Sequence, residues 1–318
     1  VALDGPAAWP QDCGAMTAKP LLAGVELGGT KCVCILGTGP DDIRAEERLP
    51  TLAPEVTLAR IHAVIDEWRS AHGPVAALGV ASFGPLDLNP SSATYGYIRS
   101  TTKPAWSHTN LLGSIANTLR VPVRLNTDVN GAALAEGRWG AATGLENFAY
   151  ITVGTGVGVG LIVNGQPVQG FSHTEMGHVR IARMPGDLWP GACPFHGDCV
   201  EGLASGPAIE ARTGAPAETL GPEHAAWNTV VHALAQLLHT IVLSTAPERI
   251  LIGGGVVASR SFLLERVRGE LQRSLNRYLQ LAELEAGLDQ YVAPPGLGTR
   301  AGPLGAIALA EDALRAGS

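Results

Sequence analysis

The sequence predicts an α/β protein of two lobes around a cleft. Three observations carry that reading. The chain's 318 residues exceed what one hydrophobic core of ordinary size needs. Element signals run strand-rich, helical, strand-rich and helical along it. A glycine-rich turn between strands near residue 28 has a coarse echo near residue 156.

LLAGVE (21–26) and KCVCIL (31–36) read as short strands around the turn LGGT. A helix follows at 54–71, with Leu58, Ile61, Val64, Ile65 and Trp68 on one face. VAALGVAS is a buried strand ending in Phe83-Gly84-Pro85, and 100–120 passes from loop to helix. VPVRLN (121–126) alternates like a strand, meets Thr127-Asp128, and gives way to the helix VNGAALAEGRW. Residues 148–163 form a strand pair, and Asn164-Gly165 signals a type I′ hairpin. Residues 171–202 are loop-like, and Ser205-Gly206-Pro207 opens a helix. A long apolar helix (225–244), the strand ERILIGGG, an amphipathic helix (259–278) and the helical segment AGPLGAIALAEDALRA complete the order. The expected division is a small lobe of 21–121 plus 303–318 and a large lobe of 122–302, hinged near 121 and 303. Residues 1–20 read as a disordered extension.

Composition removes several function classes. The net charge of −7, with no Lys/Arg stripe, excludes nucleic acid as main partner. No apolar run reaches membrane-spanning length. The first residues lack the charged-then-apolar order of a secretory signal, so a cytoplasmic location is expected. Cysteines at 13, 32, 34, 193 and 199 are odd in number and do not suggest a disulfide framework. Cys32 and Cys34 read as small buried hydrophobes.

The turn Gly28-Gly29-Thr30-Lys31 is not a P-loop, because an alternating strand follows it where a helix should. It is a hairpin whose backbone N–H groups can approach an anion, with a hydroxyl and a charge beside them. By itself it could equally be a bare turn. Two further turns favour a ligand: Gly154, Gly156, Gly158 and Gly160 punctuate the second strand pair, and Gly253-Gly254-Gly255 ends ERILI. Three such turns are better explained by a phosphate-rich ligand than by coincidence. No helix opens at the GxGxxG-like stretch, which disfavours a Rossmann reading.

Asp128 lies where a strand ends and a helix begins. It is either an N-cap or a carboxylate aimed into the cleft. Glu175, His178 and Glu201 add polar groups that could hold a polyhydroxy ligand. His178, Cys193, His196 and Cys199 offer four N/S ligands in a short span, as a closed, structural, tetrahedral zinc requires. His173 is a competing ligand, and free cysteines beside loop histidines are the alternative. Such a zinc would pin the loop bearing Glu175 and Glu201.

With these residues in hand, the chain resembles the ROK family of sugar kinases and repressors from Leu21 to Ala316, most closely its bacterial fructokinase branch. GVELGGTKCVC is similar to that branch's first phosphate hairpin, with Glu26 where most of the family has Asp. FGPLDL and TTKPAW are similar to its sugar-side loops, which contain Gly84 and Thr102. YITVGTGVGVG resembles its second phosphate hairpin. HTEMGHVR with CPFHGDCVEGLASGPAIEARTG resembles its zinc segment, and ERILIGGGVV its adenosine loop. The resemblance implies the actin/hexokinase-like ATPase fold, ATP with Mg²⁺, a structural Zn²⁺ and a homodimer. It implies Asp128 as the base acting on a sugar hydroxyl, and Glu175, His178 and Glu201 beside the sugar. Glu26, Gly28 to Lys31, Thr155 and Gly156 would face the phosphates, and Gly253, Gly254, Gly255, Val256 and Val257 the adenosine. The pair before the helix is Thr127-Asp128, where glucokinase-type members have Asn-Asp, a departure that counts against a strict glucokinase.

The expected reaction is ATP-dependent phosphorylation of a hexose primary hydroxyl, first of D-fructose. Glucose, mannose or another sugar is the alternative. A sugar-responsive repressor is disfavoured, because only about twenty residues precede the first strand, too few for a helix-turn-helix.

Overall fold

The computed structural model describes residues 19–316 other than Pro104, Leu281 and Ala286. The extension expected at 1–20 lies, up to residue 18, outside the described residues, as does Cys13.

Two five-stranded sheets organise the chain. The first holds β1 (Leu22–Leu27), β2 (Lys31–Gly39), β3 (Asp42–Pro50), β4 (Ala77–Ser82) and β5 (Val123–Thr127) in the order β3-β2-β1-β4-β5. The second holds β6 (Phe148–Val153), β7 (Val157–Val163), β8 (Gln166–Pro167), β9 (Arg249–Gly253) and β10 (Val292–Ala293) in the order β10-β9-β6-β7-β8. Read from the opposite edge, the second order repeats the first. In each, the first strand turns back through an antiparallel meander on one side and gains parallel partners on the other. The faint echo between residues 28 and 156 is therefore a repeated topology.

The strands form for different reasons. β1, β4, β6 and β9 are apolar runs covered on both faces, as parallel central strands are. β3 is an exposed edge strand, DIRAEERLP, whose charges discourage pairing with another chain. Those charges hide its apolar alternation, so the sequence does not announce it as a strand. β5 pairs with β4, so the lobe boundary expected near 121 precedes a strand of the first sheet.

The helices are α1 (Pro54–His72), α2 (Leu111–Leu119), α3 (Asp128–Trp139), α4 (Val200–Ala204), α5 (Gly206–Thr213), α6 (Ala226–Thr245), α7 (Gly255–Ala258), α8 (Ser261–Leu275), α9 (Ala282–Glu285), α10 (Leu288–Tyr291) and α11 (Ala301–Ala316). α1 and α2 cover the outer face of the first sheet, where Ile61, Ile65, Trp68 and Ile115 meet Val25, Cys32, Cys34 and Val80. α4, α6 and α8 do the same for the second, burying Leu203, Trp227, Leu234 and Leu271 against Ile151 and Ile252. α6 is long and apolar enough to cross a membrane by composition, yet its apolar face lies inside this core.

Between the sheets lie α3 and α11, packed on each other. A Cβ on Gly305 would stand 2.3 Å from the Gly131 carbonyl carbon, so the two helices need glycine where they meet. Small residues thus decide how closely the two lobes approach.

Candidate active site

The parallel strands of each sheet point the same way, and chemistry collects at their carboxyl ends. Leu27, Ser82 and Thr127 stand in register at the ends of β1, β4 and β5. Immediately beyond them come Gly28–Lys31, the Phe83-Gly84-Pro85 turn and Asp128. In the second sheet β6 and β9 likewise end at Gly154–Gly156 and Gly254–Val257.

Thr127, not Asp128, caps α3: its hydroxyl accepts from the Asn130 N–H at 3.2 Å. The buried Asn126 amide secures this junction, accepting from Thr127 N–H and the Asn130 side chain at 2.8 and 2.9 Å. Asp128 is thereby free of the capping duty that its type suggests, and it opens the helix with its carboxylate accepting Val129 N–H at 2.9 Å. Burial pushes its pKa up to about 7, and Glu26 and Glu175 add to the rise. A carboxylate whose proton affinity is near neutrality, facing other acids, is suited to general-base work.

Glu26, at the end of β1, is raised by burial and held back by Lys31 and Arg48. It lies against the first turn of α11, where a Cβ on Gly302 would come within 2.1 Å of its carboxylate. Glu201, on α4, accepts Val157 N–H at 3.1 Å, and a Cβ on Gly156 would approach its Oε2 at 2.6 Å. The same residue lies 3.9 Å from His178 Nε2, so it ties the second hairpin to the segment following β8. Glu175 is half exposed on that segment.

The glycines of the three turns divide by role. Gly28 donates to the Lys31 carbonyl at 3.0 Å, while Gly29, Thr30 and Lys31 face outward. Thr155 is exposed at the tip of the second hairpin. Gly158 and Gly160, read with that hairpin as ligand-facing, instead admit α3: a Cβ at Gly160 would stand 2.2 Å from the Val129 carbonyl oxygen. Gly254 takes φ +88° with Val153 backbone against it, so no side chain fits. Gly253 lies against Pro295, and Gly255 opens α7 with open space where a Cβ would stand. Val256 and Val257 are buried in the second core, so only their backbone faces the turn.

The metal candidates do come together. One ligand atom from each of His178, Cys193, His196 and Cys199 falls within a 4.8 Å cluster. Their N–S separations of 3.6–3.7 Å match the value of about 3.6 Å that tetrahedral Zn–S and Zn–N bonds imply. The donor set fits zinc. Paired Cys193–Gly197 backbone bonds and the Gly202 N–H on the Cys199 sulfur form the knuckle that presents it. His178 offers Nδ1 to this cluster and turns Nε2 toward Glu201.

His173 is not a member of it. Its imidazole is buried beside Gly84 and accepts the Leu86 N–H at 2.9 Å. Thr102 is exposed on a loop anchored by the buried Trp106, whose indole N–H donates to the Leu52 carbonyl at 2.8 Å. The adjacent Lys103 carries no signal of its own within TTKPAW; its ammonium donates to the Gly29 carbonyl, bringing this loop onto the first hairpin.

Comparison with known proteins agrees with this arrangement. The ROK family profile matches residues 22–313. The fructokinase of Pediococcus pentosaceus is 37% identical over 295 residues, covering 93% of this chain and 99% of its own. That of Zymomonas mobilis is 39% identical over 296 residues, covering 92% and 97%. The crystal structure of a ROK hexokinase from Thermus thermophilus superposes with a TM-score of 0.76 at 25% identity, covering 93% of this chain and 99% of that one. With two repeated sheets, glycine turns at their carboxyl ends and a match across nearly its whole length, this chain belongs to the ROK family.

Proposed function

We propose that the chain is an ATP-dependent fructokinase that converts D-fructose to fructose 6-phosphate. The observation that carries this reading is Asp128, an acid raised to about 7 at the carboxyl end of β5 among glycine-lined turns. The named fructokinases, 37% and 39% identical over nearly their full length, supply the sugar. Glucose or mannose is the second reading, favoured by the structural likeness to a hexokinase.

In this reading Gly28, Gly29, Thr30, Lys31, Thr155 and Gly156 take the ATP phosphates. Gly253 to Val257 take the adenosine, the two valines through backbone alone. Mg²⁺ accompanies ATP, offsetting phosphate charge; Glu26 is the nearby oxygen donor suited to it. Gly84, Thr102, Thr127, Glu175, His178 and Glu201 surround the sugar, with Thr127 acting chiefly by capping the helix that carries the base. Asp128 accepts the proton of the sugar's primary hydroxyl as that oxygen attacks the γ-phosphorus in line. Phosphoryl transfer asks mainly for positioning and charge neutralisation.

His178, Cys193, His196 and Cys199 would hold a zinc that pins the segment bearing Glu175 and the start of α4 bearing Glu201. Its four protein ligands leave no open position for catalysis. The lobes close on the sugar by bending where the chain crosses between the sheets, after α3 and before α11. Phe171, Leu188 and Phe195 expose apolar surface on the zinc-bearing segment, which supports a homodimer. A cytoplasmic location accords with sugar and ATP as substrates.

A coupled assay with ATP, Mg²⁺ and a panel of hexoses, with zinc content determined alongside, tests the reading. Fructose should give the highest kcat/KM, with one zinc per chain. Absence of hexose-dependent ADP formation would sink it.

A further inference from the structure

We propose that His173 is a positioning residue that locks two loops bearing sugar-side residues to each other across the cleft, an inference that rests on the hexose-binding reading above. The loops come from different lobes. One, from Gly84 to Leu88, follows β4 of the first sheet; the other, from Gln169 to Glu175, follows β8 of the second.

His173 is 7% exposed, and both of its ring nitrogens are engaged. Because Nε2 accepts the Leu86 N–H at 2.9 Å, the proton of the neutral ring sits on Nδ1. Nδ1 lies 3.3 Å from the Thr174 carbonyl and 3.5 Å from Glu175 Oε1. One imidazole therefore reaches from the backbone of the first loop to the backbone of the second, with the Glu175 carboxylate alongside. Burial lowers its pKa, which keeps the ring in the neutral form that this pair of contacts requires.

A second strut runs parallel to it. Gln169 pairs with His173 in a short antiparallel bridge, and its side-chain amide donates to the Leu88 carbonyl at 2.8 Å. The gripped segment is itself stiff. Leu86 bridges Ile98, Asp87 N–H donates to the Tyr97 carbonyl at 2.9 Å, and Arg99 N–H to the Pro85 carbonyl at 2.7 Å. A displacement of His173 is thus passed to Gly84 on one side and Glu175 on the other. Among the described residues, no hydrogen bond or ion pair joins Gly84 or Glu175 to the glycine turns assigned to nucleotide.

The two contacts can be separated chemically. In His173→Gln the side-chain carbonyl reaches the place of Nε2 and still accepts from Leu86. In His173→Asn the amide takes the place of Nδ1 and still donates to the Thr174 carbonyl. His173→Ala removes both. Binding of fructose and of a non-hydrolysable ATP analogue is measured by calorimetry on zinc-loaded protein, followed by steady-state kinetics.

His173→Ala should weaken fructose binding about tenfold, the scale of one well-made hydrogen bond, with nucleotide binding unchanged within twofold. His173→Gln should recover most of the loss and His173→Asn less, because the contact between lobes is the one that Gln restores. If the alanine protein does not fold, the Gln and Asn proteins decide the matter between them. Fructose affinity unchanged in every soluble variant would overturn the proposal. So would parallel weakening of sugar and nucleotide that neither Gln nor Asn relieves, the mark of a merely structural histidine. Wild-type protein that binds fructose without phosphorylating it would defeat the kinase reading, while the variant comparison would still judge His173. Wild-type protein that binds no hexose defeats both.

Discussion

Asp87 and Asp128 both follow a strand of the first sheet, and protein crowds both, yet their environments drive them in opposite directions. Asp87 accepts from the Ser92 and Thr94 hydroxyls at 2.6 Å each and from Asn89 N–H at 3.2 Å, and it pairs with Arg99 at 3.2 Å. These donors hold its carboxyl well below the usual carboxylate range. Among the described residues, Asp128 has only N–H groups of its own helix start, and the charges that raise it are those of the acids Glu26 and Glu175. It rises to about 7. Burial alone does not decide what a carboxylate does; the donors around it do. A satisfied acid is scaffold, whereas an acid left short of donors at a cleft is poised to take a proton.

The contrast can be broken most sharply at Asp128. Asp128→Asn should lower hexose-dependent turnover by about a hundredfold or more, with no loss of melting temperature. Near-normal turnover would remove Asp128 from the mechanism. Asp87→Ala should act first on stability, costing about 2–4 kcal/mol because Ser92, Thr94 and Arg99 lose their common acceptor. Denaturant titration checks it; an unchanged midpoint would mean that these donors re-pair without loss.

The same division into scaffold and site runs through the second hairpin. Gly160→Ala should destabilise by about 1–3 kcal/mol, since the new methyl meets the α3 backbone, which cannot move aside. Gly156→Ala meets only the end of a glutamate side chain. It should leave thermal stability nearly unchanged while raising the KM for ATP several-fold. Equal melting temperatures for the two variants would erase the distinction.

The two acids also act with opposite sign in the pH dependence. Asp128 binds a proton more tightly in the native state than in the unfolded chain. Its contribution therefore penalises folding increasingly as pH rises from about 4 to about 7. Asp87 binds a proton less tightly when folded, so its stabilisation is present above the unfolded carboxylate pKa and is lost as pH falls below about 4. Melting curves across this range should flatten at the neutral end in Asp128→Asn and at the acid end in Asp87→Asn. Turnover in the native protein should rise with pH through about 7 as Asp128 ionises. A rate independent of pH between 5 and 8 would contradict its assignment as the base.

Much of this molecule is legible along the chain. The strand–turn–strand character of 21–36 and 148–163, the amphipathic helix from Pro54 and the Ser205-Gly206-Pro207 helix start all appear where local pattern puts them. So does the metal cluster, because Cys193, His196 and Cys199 lie within one knuckle and need only His178 from nearby. β3 is not legible because edge charges mask its period, and VRLNT names no partner strand, so the pattern shows β5 as a strand but not its place in the first sheet.

What the sequence by itself determined are properties settled within a turn or two of chain: which segments bury, where backbone must tighten, which ligands crowd together. Tertiary structure alone decided that His173 stands apart from the Cys/His cluster and meets Leu86, that Thr127 relieves Asp128 of capping, and that Gly158 and Gly160 admit a helix. The reason is physical. A side chain's hydrogen-bonding capacity is written in its chemistry, but the partner that meets it comes from wherever the fold brings the chain back, here 87 residues away for His173 and Leu86.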